Sequence, residues 1–272
     1  MFVQVALVDC LKAFKIQPSG LIGYSCGEIA VGYADGCLTA EQAVLMYEAC
    51  GRALEECVIS GVIHRGAMAS VGMSWNEARL KCTEGIHLAC NNAARNVTIA
   101  GAADQVENFM ETLEDDEVFV APIDSCDLAL HSPLVVPAYS VMVEHYRKII
   151  GEDGAKVRSG RWVTTSLHPH SNPFETKATH RCNATPEFFA NNVRNPVYFY
   201  EALKCIPRNT IVLEVGPSKA LSTIITPSVH PSCTVLPLMD QAVVDGVGHF
   251  VNVMNTVQKL GATVDFTVSE IR

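Results

Sequence analysis

Short apolar runs alternate with longer amphipathic stretches along this chain, and that alternation restricts its fold more than any other feature. Leu21–Ile22–Gly23–Tyr24 reads as a short buried strand, preceded over residues 2–16 by Val3, Leu7, Leu11 and Phe14 at helical spacing. A helix is expected directly after Ser25, through Glu28, Ile29 and Val31. Another should start behind Thr39, a good N-cap, and run through Ala49 and Leu54. Farther on, Ile211–Val215 and Thr234–Pro237 read as strands, and residues 186–205 and 244–260 as helices. Strands separated by helices give an α/β fold, a mostly parallel sheet with flanking helices.

The middle of the chain has a different texture. Ala67–Val71 reads as a strand and Trp75–Cys82 as a helix behind Ser74. His87–Cys90 and Val97–Ala100 read as strands around a turn at Asn91–Asn96, Gln105–Leu113 as a helix, and Val118–Ile123 as a strand. This β-α-β-β-α-β order is the split pattern of a ferredoxin-like α+β unit. The expected organisation is therefore a large α/β subdomain from residues 1–65 and 125–272, interrupted by a ferredoxin-like subdomain at 66–124. Ser132–Pro133 is expected to open a long helix, with Pro133 in its first turn. Residues 161–180 read as a strand followed by a loop.

A chain of 272 residues has room for such an insertion, and 49% hydrophobic against 18% charged residues supplies a sizeable core. The net charge of -9 disfavours a broad nucleic-acid footprint, and no run of roughly 18 apolar residues suggests a membrane span. Eleven cysteines without a CxxC pair, behind an opening that lacks a basic signal region, read as reduced, mostly core-filling thiols of a cytoplasmic protein.

Gly23–Tyr24–Ser25–Cys26–Gly27 fits G-x-S-x-G between the first expected strand and the helix after it. A serine on so tight a turn projects its hydroxyl over the carboxyl end of the sheet, and small flanking residues relieve crowding there. The Cys26 N–H, at the helix start, would face a developing oxyanion. An ordinary glycine-rich βα turn would read the same. A serine nucleophile needs a base. Of nine histidines, His131 is best placed, between the apolar segment Leu128–Leu130 and a helix cap; a satisfied histidine at a helix start is the alternative. His168, His170, His180 and Cys182 form an H-x-H…H-x-C set that matches no common zinc spacing, and no metal is expected.

With these residues in view, the chain resembles a known family. GYSCGEIAVGYADGCLTAEQAV (23–44) is similar to the nucleophile segment of the malonyl/acetyl transferase domain of animal-type fatty acid synthase. GAMASVGMSW (66–75), ACNNAARNVTIAG (89–101), LALHS (128–132), NNVRNPVYFYEAL (191–203), VLEVGP (212–217) and PSCTVLPLM (231–239) continue the likeness in order. The resemblance implies a Ser25–His131 dyad whose histidine is oriented by backbone carbonyls, expected from around Val215–Gly216–Pro217. It implies ping-pong transfer of an acetyl or malonyl group from coenzyme A, through a serine ester, to the phosphopantetheine of an acyl carrier domain. No cofactor is bound by the domain itself, and its partners are acyl-CoA, the carrier domain and the other synthase domains. Tyr24, Cys26, Cys50, Asn92 and Leu130 are the expected substrate-binding residues.

Three departures from the family pattern stand out. Tyr24 occupies the place of a histidine. Cys50 falls where malonyl-using members carry the arginine that grips the malonyl carboxylate, and Arg52, about 200° farther around a helix, should face away. About a hundred residues that family members carry ahead of the first helix, with a first strand and a second oxyanion donor, have no counterpart here, so the chain reads as N-terminally truncated. Two other readings stay open: a catalytically silent acyltransferase-like element of a megasynthase, and a serine hydrolase.

Overall fold

The computed structural model describes residues 1–151, 154–166 and 183–267. They fall into two compact units, residues 22–202 and residues 1–21 with 203–267. In chain order the elements are α1 (Phe2–Ala13), β1 (Leu21–Ile22), α2 (Gly27–Ala34), α3 (Ala40–Ile59), β2 (Gly66–Val71), α4 (Trp75–Lys81), β3 (His87–Ala93), β4 (Asn96–Ala102), α5 (Ala103–Asp115) and β5 (Val120–Ile123). There follow α6 (Ala138–Ile150), β6 (Trp162–Val163), α7 (Pro186–Arg194), β7 (Val197–Tyr198), α8 (Phe199–Leu203), β8 (Ile211–Glu214), α9 (Ser222–Ile225), β9 (Thr234–Pro237) and α10 (Gly246–Lys259).

Local chemistry sets several boundaries. Thr39 and Gln42 form a reciprocal capping box at the start of α3, and Ser74 and Glu77 form another at α4. Thr185 caps α7, with Pro186 at its first position, where a missing N–H does no harm.

In the larger unit, a five-stranded sheet runs β5-β2-β4-β3-β7. The pairs β5–β2, β2–β4 and β4–β3 are antiparallel, and β7 joins β3 in parallel through Cys90↔Val197 and Asn91↔Tyr198. Ala69, Val71, Val97 and Ile99 bury one face of this sheet against Val106, Phe109 and Leu113. Those three recur at helical spacing along α5, which is why that helix lies flat on the strands. A separate two-stranded sheet pairs β1 with β6, and α2 and α3 pack together.

In the smaller unit β8 and β9 pair in parallel, with Ile211 opposite Thr234. Leu7 of α1, Leu238 and Val253, Met254 and Val257 of α10 form its core. Phe14 meets Phe250 and Phe266 edge-on, at 5.6 and 5.5 Å between ring centroids. Among the described residues no helix is long and apolar enough to cross a membrane.

The structure corrects three expected elements. The turn after β3 is tighter than Asn91–Asn96, because Asn91 and Asn92 continue the strand and spend their amides inside the protein. Asn91 Nδ2 donates to Glu201 Oε1 (2.7 Å), and Asn92 Nδ2 donates to Thr98 Oγ1 and Asn96 Oδ1 (2.9 Å each). The long helix expected from Pro133 begins as a 3-10 turn, Pro133–Val135, and α6 starts only at Ala138. Pro137 is the reason: in a helix begun at Pro133 its nitrogen would have to donate to the Pro133 carbonyl, and proline has no N–H. The helix expected over 186–205 stops at Arg194, because Pro196 keeps the residue before it extended, and Asn195 sits at φ -93, ψ 154.

Candidate active site

Ser25 lies between β1 and α2 with φ +53, in the left-handed region that a side chain usually avoids. The turn is closed by Gly27 N–H to Tyr24 O (2.8 Å) and Glu28 N–H to Ser25 O (3.0 Å). The two glycines of the motif are not equivalent. A Cβ on Gly23 would stand 2.6 Å from Glu28 N and 2.7 Å from its Cα, so β1 can approach α2 this closely only without a side chain. A Cβ on Gly27 would meet nothing within 4 Å, so the expectation that both glycines relieve crowding holds only for the first. Among the described residues the Cys26 N–H donates to no acceptor, at the positive end of α2.

The fully buried Glu28 carboxylate locks the turn from below. It accepts from Trp162 Nε1 (2.5 Å), Thr164 Oγ1 (2.8 Å) and Thr165 N (2.6 Å), and Thr165 Oγ1 donates to Gly23 O (2.7 Å). β6 is thereby tied to the first turn of α2. In the sequence Glu28 is only an acidic residue in the first turn of a helix, with no local mark of this anchoring role.

His131 also has a left-handed backbone, φ +58, and its N–H donates to Val193 O (2.8 Å). Its Nε2 is 2.7 Å from Ser25 Oγ. Its Nδ1 is 2.9 Å from Asn192 O and 3.0 Å from Asn195 O. Two carbonyls only accept, so Nδ1 carries the proton and Nε2 presents its lone pair to the Ser25 hydroxyl. Burial disfavours the charged ring and lowers its pKa below the usual histidine value, against the opposing pull of the Asn195 and Asn192 carbonyls. The carbonyls expected from residues 215–217 are therefore supplied by Asn192 and Asn195; Val215 O accepts from Gln4 Nε2 (3.5 Å). The break between α7 and β7 frees both oxygens, since Asn195–Pro196 prevents the helix from consuming them.

The remaining expected residues fall into three groups. Tyr24 Oη donates to Asn92 Oδ1 (3.0 Å) and its ring packs edge-on against Phe199, so Asn92 holds Tyr24 through an amide already engaged on both sides. Cys26 and Cys50 stand together. The neighbouring Cys50 pulls the Cys26 pKa down to about 7, opposed by burial and helped by the Ser25 hydroxyl, while Cys26 and burial push Cys50 up. Cys50 is buried on α3, 4.0 Å from Met142 Sδ, whereas Arg52 is exposed and ion-paired with Glu48 one turn back. Leu130 is half-buried directly before His131. A cleft of about 360 Å³ that opens on His131 is lined instead by His87, Pro133, Val136, Arg194 and Pro196. Among the described residues no three metal-ligating side chains gather; His168, His170, His180 and Cys182 lie outside the described residues.

This arrangement is an activated hydroxyl, a base in a fixed tautomer and a helix N-terminus, which together suit attack on an acyl carbon. Its likeness to known proteins extends along the chain. The family model described as "Acyl transferase domain" matches residues 1–264. The highly reducing polyketide synthase gloL of Glarea lozoyensis is 29% identical over 228 residues, covering 81% of this chain and 8% of that protein. The highly reducing polyketide synthase sphB of Aspergillus fumigatus is 31% identical over 231 residues, with the same two coverages. This chain thus spans about a tenth or less of the length of the curated relatives it matches. The crystal structure of the acyltransferase domain from the second module of the salinomycin polyketide synthase superposes with a TM-score of 0.78 at 21% identity, covering 98% of this chain and 60% of that one. On the strength of the match over residues 1–264, and with a fold shared with solved acyltransferase domains, the chain belongs to the acyl transferase domain family.

Proposed function

We propose that this chain transfers acyl groups from coenzyme A thioesters to the phosphopantetheine thiol of an acyl carrier domain, as part of a cytoplasmic multidomain synthase of the fatty acid or polyketide type. The fatty acid synthase variant is supported by the segments quoted above, the polyketide variant by the relatives. The observation that carries the reading is the 2.7 Å contact between Ser25 Oγ and His131 Nε2, with Nδ1 held by two carbonyls. In the first half-reaction Ser25 Oγ attacks the thioester carbon while Nε2 takes its proton. The tetrahedral oxyanion faces the Cys26 N–H and collapses, and His131 protonates the departing coenzyme A thiolate. In the second, the carrier thiol gives its proton to Nε2 and attacks the Ser25 ester, and Ser25 recovers the proton. Nucleophile and base suffice for this exchange, so the domain needs no cofactor of its own.

Two further elements belong to the reading. Residues 66–124 form a ferredoxin-like subdomain, a view supported by their strand order 5-2-4-3 in the numbering used here. The acyl group is uncharged, such as acetyl. Cys50 stands where the resemblance calls for an arginine, and Arg52 is engaged with Glu48.

The test is to incubate the purified chain with acetyl- or malonyl-coenzyme A, locate the adduct by mass spectrometry, and then add a carrier domain. An oxyester on Ser25 that passes to the carrier thiol is expected. No adduct on Ser25 refutes the reading and leaves a silent element, and free acid formed without transfer would mark a hydrolase. Cys50→Arg should raise malonyl loading relative to acetyl; an unchanged ratio refutes the assignment of Cys50 to the acyl pocket.

A further inference from the structure

Nucleophile and base come from distant parts of the chain, and one short segment holds both. Ser166 lies shortly after β6 and is buried. Its N–H donates to Thr164 Oγ1 (3.2 Å), whose hydroxyl donates to Glu28 Oε1 (2.8 Å), and the Glu28 N–H donates to Ser25 O (3.0 Å). On its other side Ser166 Oγ accepts from Asn192 Nδ2 (2.6 Å). Asn192 is buried too, and its carbonyl is one of the two that receive the His131 Nδ1 proton (2.9 Å). Because His131 Nε2 meets Ser25 Oγ, these contacts close a ring that runs from Ser25 through Glu28, Thr164, Ser166, Asn192 and His131 back to Ser25. Asn192 belongs to the last turn of α7, where a carbonyl has no helical partner to aim it and points wherever its own residue is held.

We infer that Ser166 is a positioning residue for His131: by fixing the Asn192 side chain it keeps the Asn192 carbonyl on Nδ1 and the Nε2 lone pair on the Ser25 hydroxyl. The inference rests on the Ser25–His131 reading given above, yet the tie itself is open to measurement without substrate. Without the Ser166 hydroxyl, Asn192 Nδ2 becomes a buried donor that regains an acceptor only by turning. That turn takes the carbonyl off Nδ1 and leaves its proton to Asn195 O alone (3.0 Å). Two effects follow. A carbonyl accepts more strongly from the charged ring than from the neutral one, so its loss lowers the His131 pKa further. The Nε2–H tautomer, which offers Ser25 no lone pair, gains population.

The test combines nuclear magnetic resonance of the histidine ring nitrogens, with the His131 signals assigned by their loss in His131→Ala, and the initial rate of Ser25 acetylation by acetyl-coenzyme A. The parent chain should hold the Nδ1–H tautomer. Ser166→Ala should show a mixture of tautomers, a lower titration midpoint and acetylation slower by on the order of tenfold. Asn192→Ala should reproduce these changes, and the double variant should be no worse than either single one, because both remove the same tie. A mere loss of stability would leave the tautomer and midpoint of the folded protein where they were. His87 and Arg194, which line the cleft onto which His131 opens, and Cys26 and Glu28 of the Ser25 turn are unchanged in these variants. If folded Ser166→Ala keeps the parent's tautomer and midpoint, the inference is overturned whatever its rate. If the parent takes no acetyl on Ser25, the acyl-transfer reading falls, and the resonance comparison alone decides for or against Ser166. Should Ser166→Ala fail to fold, Ser166→Cys, which puts a weaker acceptor in the same place, is judged by the same outcomes.

Discussion

Replacing Glu28 by glutamine tests how the Ser25 turn is held. The carboxylate has no exposed surface, and its oxygens accept from one indole N–H, one backbone N–H and the Thr164 hydroxyl. Glutamine retains one oxygen, which can keep the Thr164 and Thr165 donors. It then turns an NH2 group toward Trp162 Nε1, so two donors face each other. One hydrogen bond to a charged group is lost and one buried donor is left unmet; because the two effects overlap, the cost is about 2–4 kcal/mol. At roughly 2–4 °C per kcal/mol for a chain of this size, the melting temperature should fall on the order of 10 °C. Circular dichroism during heating reads the shift, and acyl loading on Ser25 should fall with it, because β6 no longer fixes the first turn of α2. Trp162→Phe removes the opposing donor, so the double variant should lose less stability than the sum of the single ones. A melting temperature within measurement error of the parent, or strictly additive losses, would refute Glu28 as the anchor.

Other substitutions divide the site into parts. Gly23→Ala should destabilise by about 1–3 kcal/mol and reduce Ser25 loading, because its Cβ meets backbone at 2.6 Å. Gly27→Ala should instead be neutral or stabilise by roughly 0.5–1 kcal/mol, since it places a better helix former in open space; equal losses in denaturant titration of the two variants would contradict this. The neutral His131 ring is the active base and burial lowers its pKa, so the acid limb of Ser25 acylation should have its midpoint below about 6.5. A midpoint at or above that value in a rate profile would show that the carbonyl pair outweighs burial. Tyr24→Phe should cost about 1–2 kcal/mol in urea unfolding by stripping Asn92 Oδ1 of its donor, while loading on Ser25 persists. A loss of loading with unchanged stability would put Tyr24 in the chemistry instead.

The parts of this site that were legible in advance are those written in side chains close together in sequence. G-x-S-x-G needs five consecutive residues, and a serine at φ +53 between a strand and a helix follows from their local geometry. The caps at Thr39 and Ser74 were legible for the same reason: a hydroxyl three residues ahead of a glutamine or glutamate closes a box with no help from the rest of the fold. Glu28 shows where such reading stops. An acidic residue in the first turn of a helix looks like a favourable surface charge, and only the return of the chain at 162–165 buries it under three donors.

The amino-acid sequence by itself pointed to an acyl transferase domain, the turn that carries Ser25, His131 as its partner and most of the succession of strands and helices. Folding decided the tautomer of that histidine, through the carbonyl oxygens of Asn192 and Asn195, 61 and 64 residues away. Carbonyls are common to every residue and leave no mark in a sequence. The one available signal was Pro196, which stops α7 and frees them; which ring they would meet was settled only when β7 paired with β3 and brought that break beneath His131.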